Sequence, residues 1–349
     1  MQSNGVKRVN IKDVAKAAGV STQTVSRVMN NTSYVAQETR IRVEEVIAQL
    51  GYRPSKMARV LIQQRSYILG VITFGLSYMG PSRTLGGIAD KAEELGYMLL
   101  MKKIDHFDQG LIDDVLDSLL THYVDGIIWN VPENDKNQTW AEGIKNVPVP
   151  IVFMSMEAKP GFSVVSLNSY LGAEMATRHL LEQGCRQIGH ISGGLDWWEA
   201  RLRLQGWRET LERAGVNVSD QQWEEGDYSS ASGEAAAATL LDRCPGMDGI
   251  FAANYQMALG VLREANLRGI QIPQQLAVVG FDNITESGFF YPSLTTISQD
   301  PRLLGGQAVQ SLVEMIRARQ ENKPITQQSI LVAPTLVVRE SSRRLQFSP

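Results

Sequence analysis

The chain has 349 residues, of which 43% are hydrophobic and 20% are charged, as expected for a soluble globular protein of two or three domains. Apolar runs of about 18 residues are absent and the first ten residues lack a signal-peptide core, so we expect a cytoplasmic protein without a membrane span. Cys185 and Cys244 stand far apart and the four histidines show no metal spacing, so we expect no disulfide framework, metal or cofactor.

The formal net charge of −3 hides an asymmetry along the chain. Residues 1–65 contain 11 basic and 4 acidic residues, a balance of +7, whereas the remainder has a balance of −10. This split predicts a basic N-terminal domain that contacts a polyanion. The alternative is a charged extension without a partner.

Three helices are predicted in the basic region. The first, in "IKDVAKAA", has an apolar face and ends at Gly19; Ser21 caps a second helix, Thr22 to Asn30. A third extends from about Gln37 to Leu50, and its apolar positions are Ile41, Val43, Val46, Ile47 and Leu50. Two short helices joined by a tight turn are typical of a helix-turn-helix.

The second helix has the composition of a DNA-reading helix rather than of a core helix. Thr22 offers a methyl group and a hydroxyl, Gln23 can pair with adenine, and Arg27 can pair with guanine. The alternative is a polar helix that only faces solvent. After it, "PSKMARVLIQQRS" mixes basic and apolar residues in a segment too short to be a stable isolated helix. Such a segment suits a linker helix that folds on DNA and inserts an apolar wedge into the minor groove, or a plain linker.

From Tyr67 onward, short apolar runs alternate with helical stretches, which predicts an α/β body of parallel sheets covered on both faces. About 270 residues suit two such subdomains better than one. The strand-like runs are "YILGVIT", "MLLMKK", "DGIIWN", "PIVFMS", "RQIGHIS", "DGIFAAN", "LAVVGFD" and a final "ILVAPTLVVRE".

Polar and aromatic residues follow these strands, at the edge where ligands of such sheets bind. Charged side chains for hydroxyl groups and flat rings for C–H faces are what a saccharide requires. The residues are Phe74, Asn130, Ser155, the stretch "SGGLDWWEARLR", Asn254 and Asp282.

"IKDVAKAAGVSTQTVSRVMNN", "TRIRVEEVIAQLGYRPSKMARVL", "ARLRLQGW", "VVGFDN" and "TTISQD" resemble the lactose/galactose repressor family of bacterial transcription regulators along almost the whole chain. The resemblance implies a helix-turn-helix domain (1–54), a hinge helix and linker (55–66), a periplasmic-binding-protein-like body (67–341) and a tail (342–349). Within the body it implies an N-subdomain (67–167 and 299–327) and a C-subdomain (168–298 and 328–341). Double-stranded operator DNA and a small-molecule effector, expected to be a sugar, are the implied partners.

The candidate residues combine these patterns with the resemblance. By this resemblance, Arg203, Asn254 and Asp282 fall at effector-holding positions of the family, and Tyr228 falls where one member has a tryptophan. Ser155, Tyr255 and Pro301 depart from that member's residues, which leaves the identity of the sugar open. The candidate DNA contacts are Asn10, Ser21, Thr22, Gln23, Ser26, Arg27, Asn30, Arg40, Ala58 and Leu61. The candidate effector contacts are Phe74, Ser155, Trp197, Trp198, Arg203, Tyr228, Asn254, Tyr255, Asp282 and Gln299, with only one of the two tryptophans expected to face the ligand.

The leading interpretation is a repressor of carbohydrate-utilisation genes. A purine-responsive repressor of the same family and a sugar-binding transport protein are the alternatives, and an enzyme is disfavoured because "GHISGG" lacks the G-x-S-x-G motif. Only "SSRRLQFSP" follows the last apolar run, too little for a heptad helix that would join dimers, so we expect a homodimer.

Overall fold

The structure is a computed structural model that describes residues 9–29, 35–52, 65–107, 109–144 and 147–343. The chain divides into two compact units, residues 1–66 and 67–349. Among the described residues, no helix is both long enough and apolar enough to cross a membrane.

The first unit contains three helices: α1 (Ile11–Ala18), α2 (Thr22–Met29) and α3 (Gln37–Leu50). They share a small core in which Val14, Val25 and Val43, one from each helix, are fully buried. The Asn10 side chain caps α1 and forms a reciprocal capping box with Asp13, which satisfies backbone donors that the first turn leaves free. The helix-turn-helix predicted from the sequence is therefore present.

The apolar face predicted for α3 is wrong in part. Ile41 is 49% exposed, whereas Val43 is fully buried. Two residues along a helix correspond to about 200° of rotation, so Ile41 and Val43 lie on opposite faces and only one can reach the core. Ala36, at the start of α3, makes no side-chain capping hydrogen bond.

The second unit is an α/β body. Its elements in chain order are β1 (Ile68–Phe74), α4 (Met79–Glu94), β2 (Met98–Ile104), α5 (Gln109–Thr121), β3 (Gly126–Asn130), α6 (Trp140–Gly143), β4 (Ile151–Met154), β5 (Ser163–Leu167), α7 (Ser169–Glu182), β6 (Ile188–Ser192), α8 (Trp198–Arg213), β7 (Trp223–Glu225), α9 (Ser230–Arg243), β8 (Gly249–Ala252), α10 (Tyr255–Leu267), β9 (Ala277–Phe281), β10 (Thr295–Ser298), α11 (Pro301–Gln320), β11 (Ser329–Val332) and β12 (Thr335–Val337). Short 3-10 helices span Asp220–Gln222 and Thr285–Phe289.

The strands form two six-stranded sheets, as the sequence predicts for a body of two subdomains. The first has the order β11-β5-β4-β3-β1-β2 and is parallel throughout. The second has the order β12-β10-β9-β8-β6-β7, and only its edge strand β12 is antiparallel to its neighbour. Buried central strands such as β3 and β9 read in the sequence as mainly apolar runs, whereas the equally buried β6 includes His190 and Ser192.

The chain passes between the sheets at three points: Asn168, residues 299–300 and residues 333–334. The third crossing was expected near residue 327, and this is wrong because β11 pairs with β5 in the first sheet. The final apolar run is likewise not one strand but two, β11 in the first sheet and β12 in the second. Pro334 lies at the break, where a residue without an N–H cannot continue a strand ladder.

Candidate functional site

A cavity of about 220 Å³ lies between the two sheets of the body, at the carboxyl ends of their strands. Its wall includes Phe74 at the end of β1, Asn130 at the end of β3, Ser155 after β4 and Asp282 after β9. Parallel strands that end at one edge bring residues from distant parts of the chain together, and ligands of such folds bind at this edge.

All but one of the predicted effector contacts line this cavity. The exception is Trp198, whose backbone nitrogen donates to the carbonyl of Glu133 at 3.1 Å and whose side chain is not part of the wall. The residues that the structure brings together are Phe74, Ser155, Trp197, Arg203, Tyr228, Asn254, Tyr255, Asp282 and Gln299.

Arg203 is held rigidly on α8. Its side chain is 6% exposed, Nη1 donates to the carbonyl of Ala253 at 2.9 Å, and the guanidinium lies 4.2 Å from the ring centroid of Phe281. A planar cation on an aromatic face keeps its edge available for hydrogen bonds. The Nε of Arg203 is buried and has no hydrogen-bond partner in the protein.

Asp282 lies on the same wall and is oriented by Gln299. The Nε2 of Gln299 donates to Oδ1 of Asp282 at 2.9 Å, which leaves Oε1 of Gln299 without a partner. Burial raises the pKa of Asp282, and the nearby Arg203 opposes this shift. The arginine therefore favours the ionised form of this buried carboxyl group.

Three residues of the wall adopt left-handed backbone conformations that side chains other than glycine rarely take. The φ angles are +54° at Ser155, +69° at Tyr228 and +83° at Asp282. Each such residue costs on the order of 1 kcal/mol, so the surrounding structure must stabilise them. Clustering of strained residues at one cavity is typical of a binding site.

Gly193 and Asn254 position the ring of Tyr228. A Cβ at Gly193 would lie 2.0 Å from Cζ of Tyr228, so the ring fits only against a glycine. The amide of Asn254 donates to the carbonyl of Tyr228 at 2.9 Å and accepts from the nitrogen of Met257 at 2.8 Å, where it caps α10. Asn254 was predicted to orient the ligand; it lines the cavity, and its hydrogen bonds within the protein also hold the wall together.

Flat aromatic rings form another part of the cavity surface. Phe74 and Trp197 lie with ring centroids 5.9 Å apart, and Phe107 supports both from behind at 4.7 and 6.1 Å. Such rings can pack against the C–H face of a sugar or against a planar heterocycle.

Several wall residues were not predicted from the sequence, of which Glu199 is the most informative. Glu199 lies in the first turn of α8, one turn before Arg203, and its Oε2 is 3.7 Å from Nη2 of Arg203. Burial raises its pKa, whereas Arg203 and a hydrogen bond with Ser155 oppose this shift. The i, i+4 spacing to Arg203 within "EARLR" was the signal that could have identified it. Tyr78, Arg83 and Gln256 also line the cavity.

The two subdomains contact each other directly beside the cavity. Asn134, in the loop after β3, forms a β-bridge with Trp197, and the nitrogen of Asp135 donates to the carbonyl of Asp196 at 3.1 Å. Arg201 adds an exposed ion pair with Asp135 at 3.0 Å. This strip of backbone closes one side of the cleft.

In the first unit, the predicted DNA-reading residues share the outer face of α2. Thr22, Gln23 and Arg27 are exposed and Ser26 is half-buried, while Val25 and Val28 point into the core. The hydroxyl of Ser21 accepts from the nitrogen of Thr24 at 3.1 Å and so caps the helix. Asn10 caps α1 and Arg40 is half-buried on α3. Asn30, Ala58 and Leu61 lie outside the described residues.

His190, the histidine in "GHISGG", is fully buried inside β6 rather than exposed at a catalytic edge. Its Nδ1 contacts the carbonyl of Phe251 at 2.9 Å, and its ring stacks on Phe251 with centroids 4.7 Å apart. Burial lowers its pKa to about 3. A neutral imidazole in this position packs in the core. Within the described residues, no group of histidine, cysteine and carboxylate side chains could hold a metal.

A helix-turn-helix with a polar outer face, followed by a two-sheet body around a polar cavity, defines a ligand-responsive DNA-binding regulator. Residues 10–55 match the family of bacterial regulatory proteins named lacI, and residues 177–342 match a periplasmic binding protein-like domain. The chain belongs to the lacI family of bacterial regulatory proteins.

Known relatives cover nearly the whole chain. The lactose operon repressor of Escherichia coli (strain K12) is 33% identical over 310 residues, which is 89% of this chain and 85% of that protein. The ribose operon repressor of the same strain is also 33% identical, over 95% of this chain and 99% of that protein. The HTH-type transcriptional repressor PurR of Glaesserella parasuis serovar 5 (strain SH0165) is 33% identical over 96% and 98%.

Solved structures agree with this assignment. A Lac repressor dimer bound to operator and the anti-inducer ONPF superposes with a TM-score of 0.84 at 32% identity, over 96% of this chain and 99% of that one. A complex of the transcriptional regulator CelR with cellobiose superposes with a TM-score of 0.70 at 28% identity, over 96% and 100%.

Proposed function

We propose that this protein is a cytoplasmic repressor of carbohydrate-utilisation genes that binds operator DNA as a homodimer and responds to a small sugar. The observation that supports a sugar as the effector is the composition of the cavity wall. Arg203 and Asp282 line the same cavity as the rings of Phe74 and Trp197. Charged groups that bind hydroxyls beside rings that bind C–H faces are complementary to a saccharide. The volume of about 220 Å³ is below the usual range of about 300–1,000 Å³, which favours a small ligand.

DNA binding is assigned to residues 10–62, with Thr22, Gln23 and Arg27 reading bases from the outer face of α2. Ser21, Ser26 and Arg40 are proposed to contact the backbone or neighbouring bases. The remaining residues of the proposed interface are Asn10, Asn30, Ala58 and Leu61. The dimer is supported by the relative that was solved as a dimer on operator DNA.

A purine is the second candidate effector. A PurR repressor is as similar in sequence as the sugar-operon repressors, and the ring pair Phe74–Trp197 could hold a planar base as well as a sugar. The transport-protein alternative fits the body but not the helix-turn-helix of the first unit, and the buried His190 offers no support for an enzyme.

Titration calorimetry with mono- and disaccharides and with purines tests the effector. For a sugar that binds, Arg203→Ala or Asp282→Ala should weaken the affinity about ten- to a hundred-fold, because each removes a charged hydrogen-bonding group from a shielded site. Arg208→Ala is the matched control, since Arg208 lies on the same helix and pairs with Asp220 outside the cavity.

Three results would contradict parts of the proposal. Binding of purines alone would exclude the sugar. A sugar that binds equally well to both variants would place the site elsewhere. Failure of the protein to bind the DNA upstream of its own or neighbouring genes in a salt-dependent manner would exclude the repressor.

A further inference from the structure

Three buried hydrogen-bonding atoms of the cavity wall have no partner within the protein. They are Oε1 of Glu199, Nε of Arg203 and Oε1 of Gln299. Buried polar groups nearly always have a hydrogen-bond partner. A set of atoms without partners around one cavity therefore indicates which donors and acceptors a bound ligand would supply. Two acceptors and one donor in the wall require two donors and one acceptor in the ligand, and neighbouring hydroxyl groups provide both.

The charges of the wall add a second condition. Of the three carboxylates there, Glu133 is already engaged by Lys159 at 2.7 Å and by the nitrogen of Glu157 at 2.7 Å. Glu199 has no comparable cationic partner: Ser155 hydrogen-bonds to its carboxylate, but Nη2 of Arg203, at 3.7 Å, is too far away for a hydrogen bond, and Oε1 has no partner. Asp282 accepts a hydrogen bond from the neutral amide of Gln299.

The environment of these two carboxylates disfavours further negative charge. Burial raises the pKa of both Glu199 and Asp282, since the cavity wall stabilises their charges less well than water does, and this shift remains although Arg203 opposes it. An anionic group placed beside Glu199 would lose its own hydration and meet a like charge at short range. An uncharged hydroxyl would instead donate to the free oxygen.

We propose that Glu199 is a specificity-determining residue that accepts a hydrogen bond from a hydroxyl of an uncharged ligand and rejects acidic derivatives of the same ligand, such as uronates and sugar phosphates. This inference rests on the proposed function, in which the cavity is the effector site. It assigns the choice between neutral and anionic sugars to one side chain.

The test is calorimetry with matched probes: glucose, galactose, mannose and ribose, each against its sugar acid and its phosphate. We expect the wild type to bind one neutral sugar at least about tenfold more tightly than its acidic derivatives. In Glu199→Gln the neutral sugar should bind about tenfold more weakly and the preference over the acids should shrink, because the like charge is gone. Glu199→Asp should retain the preference while binding more weakly, since the charge remains but the side chain is shorter.

Glu212→Gln is the control, because Glu212 is an exposed carboxylate on the same helix and is not part of the wall. It should leave both affinity and preference unchanged, and thermal unfolding of all variants confirms that they are folded. The inference is overturned if the acid or phosphate binds the wild type as tightly as the neutral sugar, or if Glu199→Gln leaves the preference unchanged.

A purine probe separates this inference from the proposed function. If hypoxanthine binds and no sugar does, the sugar proposal fails, whereas the role of Glu199 is then tested by hypoxanthine against inosine monophosphate. A preference for the uncharged base that Glu199→Gln removes supports the inference, and a preference that this variant leaves unchanged overturns it.

Discussion

His190 shows how a single buried side chain makes the stability of the body depend on pH. Its pKa is lowered to about 3 because burial disfavours the imidazolium. In the unfolded chain the pKa of His190 is about 6.5, so below this pH its imidazole binds a proton that it does not bind in the folded protein. The contribution of neutral His190 is therefore complete above about pH 6.5 and is lost as the pH falls from there towards 3.

We expect the free energy of unfolding to fall by about 2 kcal/mol between pH 7 and pH 5 on account of this residue. Urea denaturation at the two pH values, for the wild type and for His190→Phe, measures it. The variant keeps an aromatic ring between Phe251 and Trp207 and should lose less stability on acidification. The exposed His122→Gln is the control, and an equal loss in wild type and His190→Phe would contradict the assignment.

At the scale of elements, two adjacent glycines in α11 have opposite surroundings. A Cβ at Gly305 would lie 2.3 Å from the carbonyl oxygen of Thr84, so α11 can approach α4 this closely only without a side chain there. At Gly306 the nearest atom is Cβ of Lys91 at 4.0 Å. Substitutions at Gly305 and Gly306 therefore distinguish destabilisation by steric crowding from the effect of replacing glycine by a residue with higher helix propensity.

Gly305→Ala should lower the free energy of unfolding by about 1–3 kcal/mol, because the helix must move away from the backbone of α4. Gly306→Ala should leave it unchanged or raise it by up to about 1 kcal/mol, because alanine is the better helix former. Chemical denaturation measures both. Equal effects of the two substitutions would show that the contact between α4 and α11 tolerates a methyl group.

At the scale of the whole molecule, effector and operator binding should be coupled. Residues from both subdomains line the cavity, and the β-bridge between Asn134 and Trp197 joins the subdomains at the edge of the cavity. A ligand bound in the cavity can therefore favour one arrangement of the two subdomains. The chain enters β1 at Ile68, shortly after the segment 55–66, which contains the proposed DNA contacts Ala58 and Leu61.

We therefore expect effector and operator to change each other's affinity by the same factor, typically about 5- to 150-fold. Calorimetry of the effector with and without operator, and anisotropy of labelled operator with and without effector, give the two factors. If the cavity binds a sugar whose affinity does not change with operator, the cavity is a binding site but not a regulatory one.

Much of this organisation could be predicted from the sequence because buried parallel strands read as apolar runs. The runs "DGIIWN" and "LAVVGFD" contain β3 and β9, and the residues after them line the cavity. Strand β7, with the sequence "WEE", was missed because it is short, polar and at an edge. Glu199 lies within the stretch "SGGLDWWEARLR" but was not singled out, because the sequence does not show which side chains of the first turn of α8 face the cavity.

The three crossings between the sheets are adjacent in space as well as similar in kind. The nitrogen of Asn168, at the first, donates to the carbonyl of Val332, at the third, and Ser298, before the second, pairs with Thr335, after the third. Three short connections that contact one another constrain the two subdomains more than a single flexible linker would. Because the crossings are joined to one another, we expect the two sheets to rotate about them more easily than they separate or slide, so a bound ligand would act mainly on the angle between the two sheets.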